Sequence, residues 1–231
     1  MNFDIIILSL TILGNNFLQV DKYHAERINM VKSQITDRGI SNTATINAMR
    51  KVPRHLFVPM EYVNDAYGDY PLPIGFGQTI SQPYIVAYMT EVVKPTEKKK
   101  ALEIGTGSGY QAAVLAEIVD TVFTIEIIPE LANESAARFK QLGYNNIIGK
   151  SGDGYNGWPG HSPFDIIIVT AAANAIPKPL IDQLAENGRL VIPVGEPGAI
   201  QELMLLVKKN GKIETNRLTF VRFVPFKRSK S

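Results

Sequence analysis

Three glycines at alternate positions, Gly105, Gly107 and Gly109, close the apolar run Ala101-Leu102 and Ile104, and a helix-like stretch from Tyr110 to Val119 follows them. That order is a strand, a tight turn and a helix N-terminus, where backbone can approach a nucleotide-like ligand closely. Two acids flank the turn. Glu103 sits just before it, and Glu126 ends a second strand-like run, Thr121 to Ile125, 21 residues after Gly105. An acid at the end of the second strand of such a unit is placed to bind ribose hydroxyls. The unit is therefore expected to hold an adenosine-containing cofactor.

The chemistry of the loop narrows the choice. A dinucleotide turn needs Gly-x-Gly-x-x-Gly, and its third glycine position is held here by the large Tyr110. A Walker loop needs Gly-Lys-Ser/Thr, which is absent. Glu103 would repel a phosphate at close range but suits a cation. S-adenosylmethionine carries both a sulfonium and an ammonium, so it fits best. A glycine triplet alone is also compatible with an ordinary βα turn. Two other readings stay open, an NAD-dependent oxidoreductase and a non-catalytic S-adenosylmethionine-binding protein.

These residues need a scaffold, and the pattern supplies one. Strands are expected at Ala101–Ile104, Thr121–Ile125, Asn146–Lys150, Phe164–Thr170 and Arg189–Val194, with helices at Tyr110–Val119, Pro129–Leu142 and Pro177–Leu184. The alternation predicts an α/β fold, Rossmann-like, with a mainly parallel sheet and helices on both faces. Continuous Ile/Val runs mark strands buried on both sides. Glu202–Lys208 and Arg217–Phe226, separated by Asn210-Gly211, read as antiparallel closing strands. Upstream, Asp21–Asp37 reads as an amphipathic helix with Tyr23, Ile28, Val31 and Ile35 on its apolar side, closed by Gly39, and Thr43–Met49 as a short helix. Residues 52–59 are irregular and proline-bounded, residues 67–78 are loop, and Pro83 opens a helix to about Val93. Three segments result: a hydrophobic tail over residues 1–20, a helical substrate or lid region over 21–95, and the core with its closing strands over 96–231.

Composition excludes several classes. The 231 residues, 45% hydrophobic and 20% charged, suit one globular domain with a small appendage. A net charge of +2 gives no case for nucleic acid or an acidic membrane. The absence of cysteine removes disulfides, thiolate metal ligands and thiol nucleophiles. His24, His55 and His161 have no metal-ligand spacing. A nucleophile elbow is unsupported, because the only comparable run is Gly-Thr-Gly-Ser-Gly, offset by one. Trp158 is expected to pack rather than to stack bases. The apolar run Ile5–Leu13 is too short to span a bilayer. It has the length of a signal-peptide core, yet Asp4 precedes it and no Lys or Arg does. The expected location is cytoplasmic, or secreted or periplasmic if residues 1–20 act as a signal.

The chain also resembles the protein-L-isoaspartate (D-aspartate) O-methyltransferases. The residues that carry the resemblance are Val52-Pro53-Arg54 through Val58, Leu72-Pro73-Ile74-Gly75 through Gln78-Thr79-Ile80-Ser81-Gln82-Pro83, Leu102 to Gly109, Gly152-Asp153-Gly154, and Pro163-Phe164-Asp165 through Val169-Thr170-Ala171-Ala172. Ile192-Pro193-Val194-Gly195 and Phe223-Val224-Pro225 extend it, so it covers about residues 25–226. The glycine turn is common to methyltransferases at large, whereas Gln-Thr-Ile-Ser-Gln-Pro is particular to this family. The hydrophobic start departs from its cytoplasmic members, and the chain stops at Ser231, without the C-terminal extension of the animal enzymes. The resemblance implies methyl transfer from S-adenosyl-L-methionine to isoaspartyl residues of proteins and peptides, by a monomer without nucleic acid or stable membrane association. It implies that Gly105, Gly107 and Gly109 line the methionine part, with Glu103 behind them. Glu126 would take the ribose and Asp153 with Gly154 the adenine edge. Thr79, Ile80 and Gln82 would lie over the cofactor, and Ser81 at the reacting carboxylate.

Overall fold

The computed structural model describes residues 23–196 and 198–229. The expectations for residues 1–20 lie outside them. Nine strands are present among these residues: β1 Leu72–Pro73, β2 Thr79–Ile80, β3 Lys100–Ile104, β4 Thr121–Glu126, β5 Ile147–Ser151, β6 Phe164–Val169, β7 Leu184–Val194, β8 Gln201–Lys209 and β9 Lys212–Val221. The seven from β3 onward form one sheet in the order β5-β4-β3-β6-β7-β8-β9. Pairing is parallel from β5 to β7 and antiparallel over the last two ladders. The chain winds outward from β3 to β5, then returns to lay β6 against the other side of β3. The crevice beyond the carboxyl ends of β3 and β6 is thus a topological switch point, the usual ligand position in such sheets.

Alternation along the strands splits the core in two. On one face Ala101, Val122, Ile166, Ile168 and Val191 pack against the helices that carry Val86, Met89, Ala112 and Leu115. On the other Leu102, Ile104, Phe123, Ile167 and Leu190 pack against Leu180 and Leu184. The first face is covered by α1, whose described part is residues 23–30, together with α2 Thr43–Lys51, α3 Pro83–Val92, α4 Tyr110–Ala116 and α5 Pro129–Gln141. Continuous apolar strands read correctly as doubly buried at β3, β4 and β6. At β5 the reading fails, since it is the sheet's edge and Ile148 is exposed.

Other differences have local causes. After residue 30 the expected amphipathic helix widens into a π-turn over Val31–Ile35, then tightens into a 3-10 turn ending at Gly39, whose φ is +96°. Met30, Val31 and Ile35 are buried there, while Ile28 is exposed. The helix expected over Pro177–Leu184 is only α6, Lys178–Asp182, because Gln183 is drawn into tertiary contacts and Leu184 already pairs with Phe164. Gln183 accepts the Trp158 N–H at 2.8 Å and donates to the Asn156 carbonyl at 2.8 Å. The last strand begins at Lys212 rather than Arg217. Asn210 and Gly211, at φ +51° and +72°, make a two-residue hairpin turn that pairs Lys209 directly with Lys212. Among the described residues no helix is long and apolar enough to cross a membrane.

Candidate active site

The three glycines lie just past the end of β3. Their φ angles are +94°, +52° and +88° for Gly105, Gly107 and Gly109, a region that costs other residues strain. A Cβ on Gly105 would lie 2.5 Å from Thr170 Oγ1, and one on Gly109 would lie 2.6 Å from the Phe139 ring. One on Gly107 would meet only Ile74 Cδ1, at 3.2 Å. The protein's own packing thus accounts for Gly105 and Gly109 better than for Gly107. Glu126, at the end of β4, ties the turn down. Its carboxylate accepts the Gly107 N–H at 2.7 Å and the Ile128 N–H at 3.0 Å, one on each oxygen. Four acceptor directions on a carboxylate leave it capacity for two further donors.

Glu103 is fully buried on the same sheet face as Ala101. Thr124 Oγ1 donates to its Oε2 at 2.5 Å, and the Thr106 hydroxyl lies 2.6 Å from that of Thr124. The other oxygen, Oε1, is buried without a hydrogen-bond partner. Burial pushes the Glu103 pKa up to about 8; the Thr124 hydrogen bond opposes this and the nearby Glu126 charge adds to it. A buried acid with an unpartnered oxygen beside a glycine turn suits a cationic group. The sign for stability is definite. The folded state holds this proton above the unfolded pKa of about 4.5, so the group destabilises the fold progressively as pH rises from about 5 to about 8. Glu103→Gln, a mimic of the protonated acid, is expected to leave the melting temperature unchanged near pH 5 and to raise it near pH 8. Identical melting curves for both proteins at pH 8 would show that Glu103 is already compensated.

The segment before α3 forms the opposite wall. Contrary to the loop expected over residues 67–78, Leu72 pairs with Ile80 and Pro73 with Thr79 in a small hairpin. Its turn carries Gly75 and Gly77 at φ +86° and +70°. Burial of Leu72, Ile74 and Ile80 anchors the hairpin and turns its two-residue strand to the site. Thr79, Ile80, Ser81, Glu103, Gly105 and Gly107 line a narrow cavity of about 30 Å³ together with Gln111 and Thr170. A wide cleft of about 610 Å³ adjoins it, lined by Gln82, Ile85, Phe220, Arg222 and Val224 among others. Thr79, Ser81 and Thr170 line both spaces. Gln82 faces only the wide cleft and donates its side chain to the Asp69 carbonyl at 2.9 Å. Gln82, not Ser81, is the N-cap of α3.

A second narrow space of about 30 Å³ lies at the other end of the glycine turn, between Ile104, Gly105, Glu126, Gly154, Phe226 and Lys227. Any Cβ on Gly154 would collide with the Ile104 side chain. Gly109 and Asp153 line none of these three spaces: Phe139 fills the first, and the C-terminal segment caps the second. Thr170, Thr124 and the stretch from Phe226 to Ser229 were missed from sequence. Thr170 follows the carboxyl end of β6, the topological position that flags ligand contacts. Nothing in the spacing marked the others.

Residues 25–231 match the family model described as protein-L-isoaspartate(D-aspartate) O-methyltransferase. A protein-L-isoaspartate O-methyltransferase of Opitutus terrae is 56% identical over 205 residues, covering 89% of this chain and 88% of its own. One of Gloeobacter violaceus is 55% identical over 201 residues, covering 87% and 98%. A Plasmodium falciparum protein-L-isoaspartate O-methyltransferase, solved in complex with S-adenosyl-L-homocysteine, superposes with a TM-score of 0.76 at 29% identity, covering 90% of this chain and 99% of its own. Another solved protein-L-isoaspartate O-methyltransferase gives 0.77 at 30% identity; the match spans 86% of this chain and 65% of that longer one.

Proposed function

Because the chain belongs to the protein-L-isoaspartate(D-aspartate) O-methyltransferase family, we infer that it methylates the free carboxylate of damaged residues in proteins, the α-carboxylate of L-isoaspartyl and the side-chain carboxylate of D-aspartyl residues. When bound, S-adenosyl-L-methionine supplies an electrophilic methyl on a cationic sulfur, which passes to the carboxylate oxygen with the bonding pair left on sulfur. The following backbone amide nitrogen then attacks the ester carbonyl and expels methanol, a better leaving group than the acid offers, so the residue closes to a succinimide and repair begins. The observation that carries the reading is the shared wall of Thr79, Ser81 and Thr170 between the glycine-turn cavity and the wide cleft. The transferring methyl and the accepting carboxylate would then meet at these three residues.

The residues present fit that cofactor. The buried Oε1 of Glu103 lacks a partner, and Gly107 leaves backbone open to the same cavity. Gly105 and Gly107 with Glu103 would hold the methionine part, with Gly109 behind them completing the turn; Glu126 would take the ribose hydroxyls, and Gly154, with Asp153 next to it in the chain, the adenine. A substrate carboxylate with an ordinary pKa near 4 is already ionised at pH 7, so no general base is needed. The protein's task is alignment and exclusion of water, worth roughly 7–11 kcal/mol of barrier at best. The Ser81 hydroxyl orients the carboxylate with one hydrogen bond, and Ile80 and Thr79 cover the reacting atoms. Turnover on an isoaspartyl peptide, with no turnover on its aspartyl twin, is the direct test.

Glu126→Ala should weaken S-adenosylhomocysteine binding by ten-fold or more, because each lost contact to a charged group is worth about 1.5–3 kcal/mol. Some of the loss will come through the loop, since Gly107 and Ile128 lose their acceptor. Calorimetry should therefore be read beside a melting curve. An affinity within two-fold of the parent would leave Glu126 as a loop anchor alone.

A further inference from the structure

After β9 the chain runs alongside the segment that follows β6, bridging Pro225 to Ala172. The Ala172 N–H donates to the Val224 carbonyl and the Phe226 N–H to the Ala172 carbonyl, both at 2.8 Å. This places Phe226 and Lys227 as the outer wall of the space beside Glu126 and Gly154. Beyond them Arg228 Nε donates to Asp153 Oδ2 at 2.8 Å, and the Ser229 N–H reaches the same oxygen at 3.1 Å. The Arg228 guanidinium also lies over the Tyr155 ring, 3.6 Å from its centre. On the opposite oxygen, Asp153 Oδ1 accepts the Tyr155 N–H at 2.9 Å.

A carboxylate offers about four acceptor directions. Three are filled by this chain, two on Oδ2 and one on Oδ1, so a single direction remains, on Oδ1. We propose that Arg228 is a positioning residue for the cofactor's base: by filling Oδ2 it leaves Oδ1 of Asp153 as the one acceptor for the exocyclic amino group of adenine, and so sets the preference for adenine over a 6-oxo purine. The inference rests on the reading that puts Asp153 at the adenine edge. Burial works against a charge at Asp153, but the Arg228 hydrogen bond, the Tyr155 and Ser229 N–H groups and the Arg228 charge outweigh it and hold the carboxyl below its usual range. The acceptor is therefore charged at neutral pH, and a 6-oxo group facing it would be repelled. Exposed ion pairs add little stability, and the Arg228 side chain is 49% exposed. The contact's consequence is orientation, which makes it separable from folding.

The test is calorimetric titration of the full chain with S-adenosylhomocysteine and with its 6-oxo analogue, S-inosylhomocysteine. The parent should prefer the adenine ligand. Arg228→Ala should bind S-adenosylhomocysteine about ten-fold more weakly, with the preference between the two ligands reduced by a similar factor and the melting temperature unmoved. Arg228→Lys, which keeps the charge but not the flat stacking on Tyr155, should recover part of the preference. Equal weakening toward both ligands in Arg228→Ala would make the residue a general clasp and overturn the proposal. So would an unchanged preference in Arg228→Ala when Asp153→Ala has lost it. An unchanged preference in Asp153→Ala would remove the adenine reading of Asp153 and this inference with it. Failure of the parent to bind S-adenosylhomocysteine at all would instead refute the proposed function.

Discussion

Gly107→Val is expected to lower S-adenosylhomocysteine affinity by at least about 100-fold, roughly 2.7 kcal/mol, while the domain remains folded. The glycine is at φ +52°, which a β-branched residue resists, and backbone there must approach the ligand. Of the three turn glycines it is the one whose substitution disturbs the protein least. Its Cβ would meet only Ile74 Cδ1 at 3.2 Å, a flexible side-chain end, whereas Gly109 faces the Phe139 ring and Gly105 faces Thr170. Strain in the left-handed region is on the order of 1–2 kcal/mol, a tolerable loss for a domain of ordinary stability. The Gly107 N–H bond to Glu126 is at risk as well, so both ends of the proposed cofactor site would shift together. Measuring affinity and melting temperature on one preparation decides the matter. A folded variant with parental affinity would place the ligand elsewhere.

The part of this site that could be read from sequence is the part written in local pattern. The run from Ala101 to Gly109 demands a strand and a turn whatever surrounds it, and Glu126 ends the next strand at the distance that one βα unit imposes. Pro83 likewise announces α3. What escaped was set by partners distant in sequence. The first half of β9, before the strand expected from Arg217, has no buried side chain, so only its backbone pairing with β8 marks it, and the polar stretch Glu214-Thr215-Asn216 hid it. The short α6 ends where Gln183 turns to Trp158 and Asn156, a contact across 25 and 27 residues. The hairpin of β1 and β2 holds two residues a side, below any periodic signal. Arg228 reaches Asp153 across 75 residues, and a basic C-terminal residue carries no mark of such a role. Gln82 could be grouped with Ser81 from sequence, yet its side chain turns to Asp69 and the wide cleft.

Ser81→Ala should cut turnover far more than it changes cofactor affinity. A hydrogen bond to a charged carboxylate is worth about 1.5–3 kcal/mol, which corresponds to roughly 10- to 150-fold in rate when it is made in the transition state. Two simpler roles for the hydroxyl predict other outcomes. If Ser81 capped α3, its loss would cost about 1 kcal/mol of stability and leave turnover per folded molecule intact. The cap position belongs to Gln82, so the melting temperature is expected to stay put. If Ser81 served mainly to bind cofactor, S-adenosylhomocysteine affinity would fall along with the rate. Its place on the wall common to the narrow cavity and the wide cleft favours the reacting carboxylate instead. Initial rates on an isoaspartyl peptide and its aspartyl twin complete the test. The two isomers differ in which carboxylate leaves the backbone, so a site that aligns one carboxylate should turn over only the first. Equal methylation of both by the parent would refute the repair reading. Equal rates for parent and Ser81→Ala on the isoaspartyl peptide would remove Ser81 from the mechanism and leave alignment to Thr79 and Thr170, the other two residues on that wall.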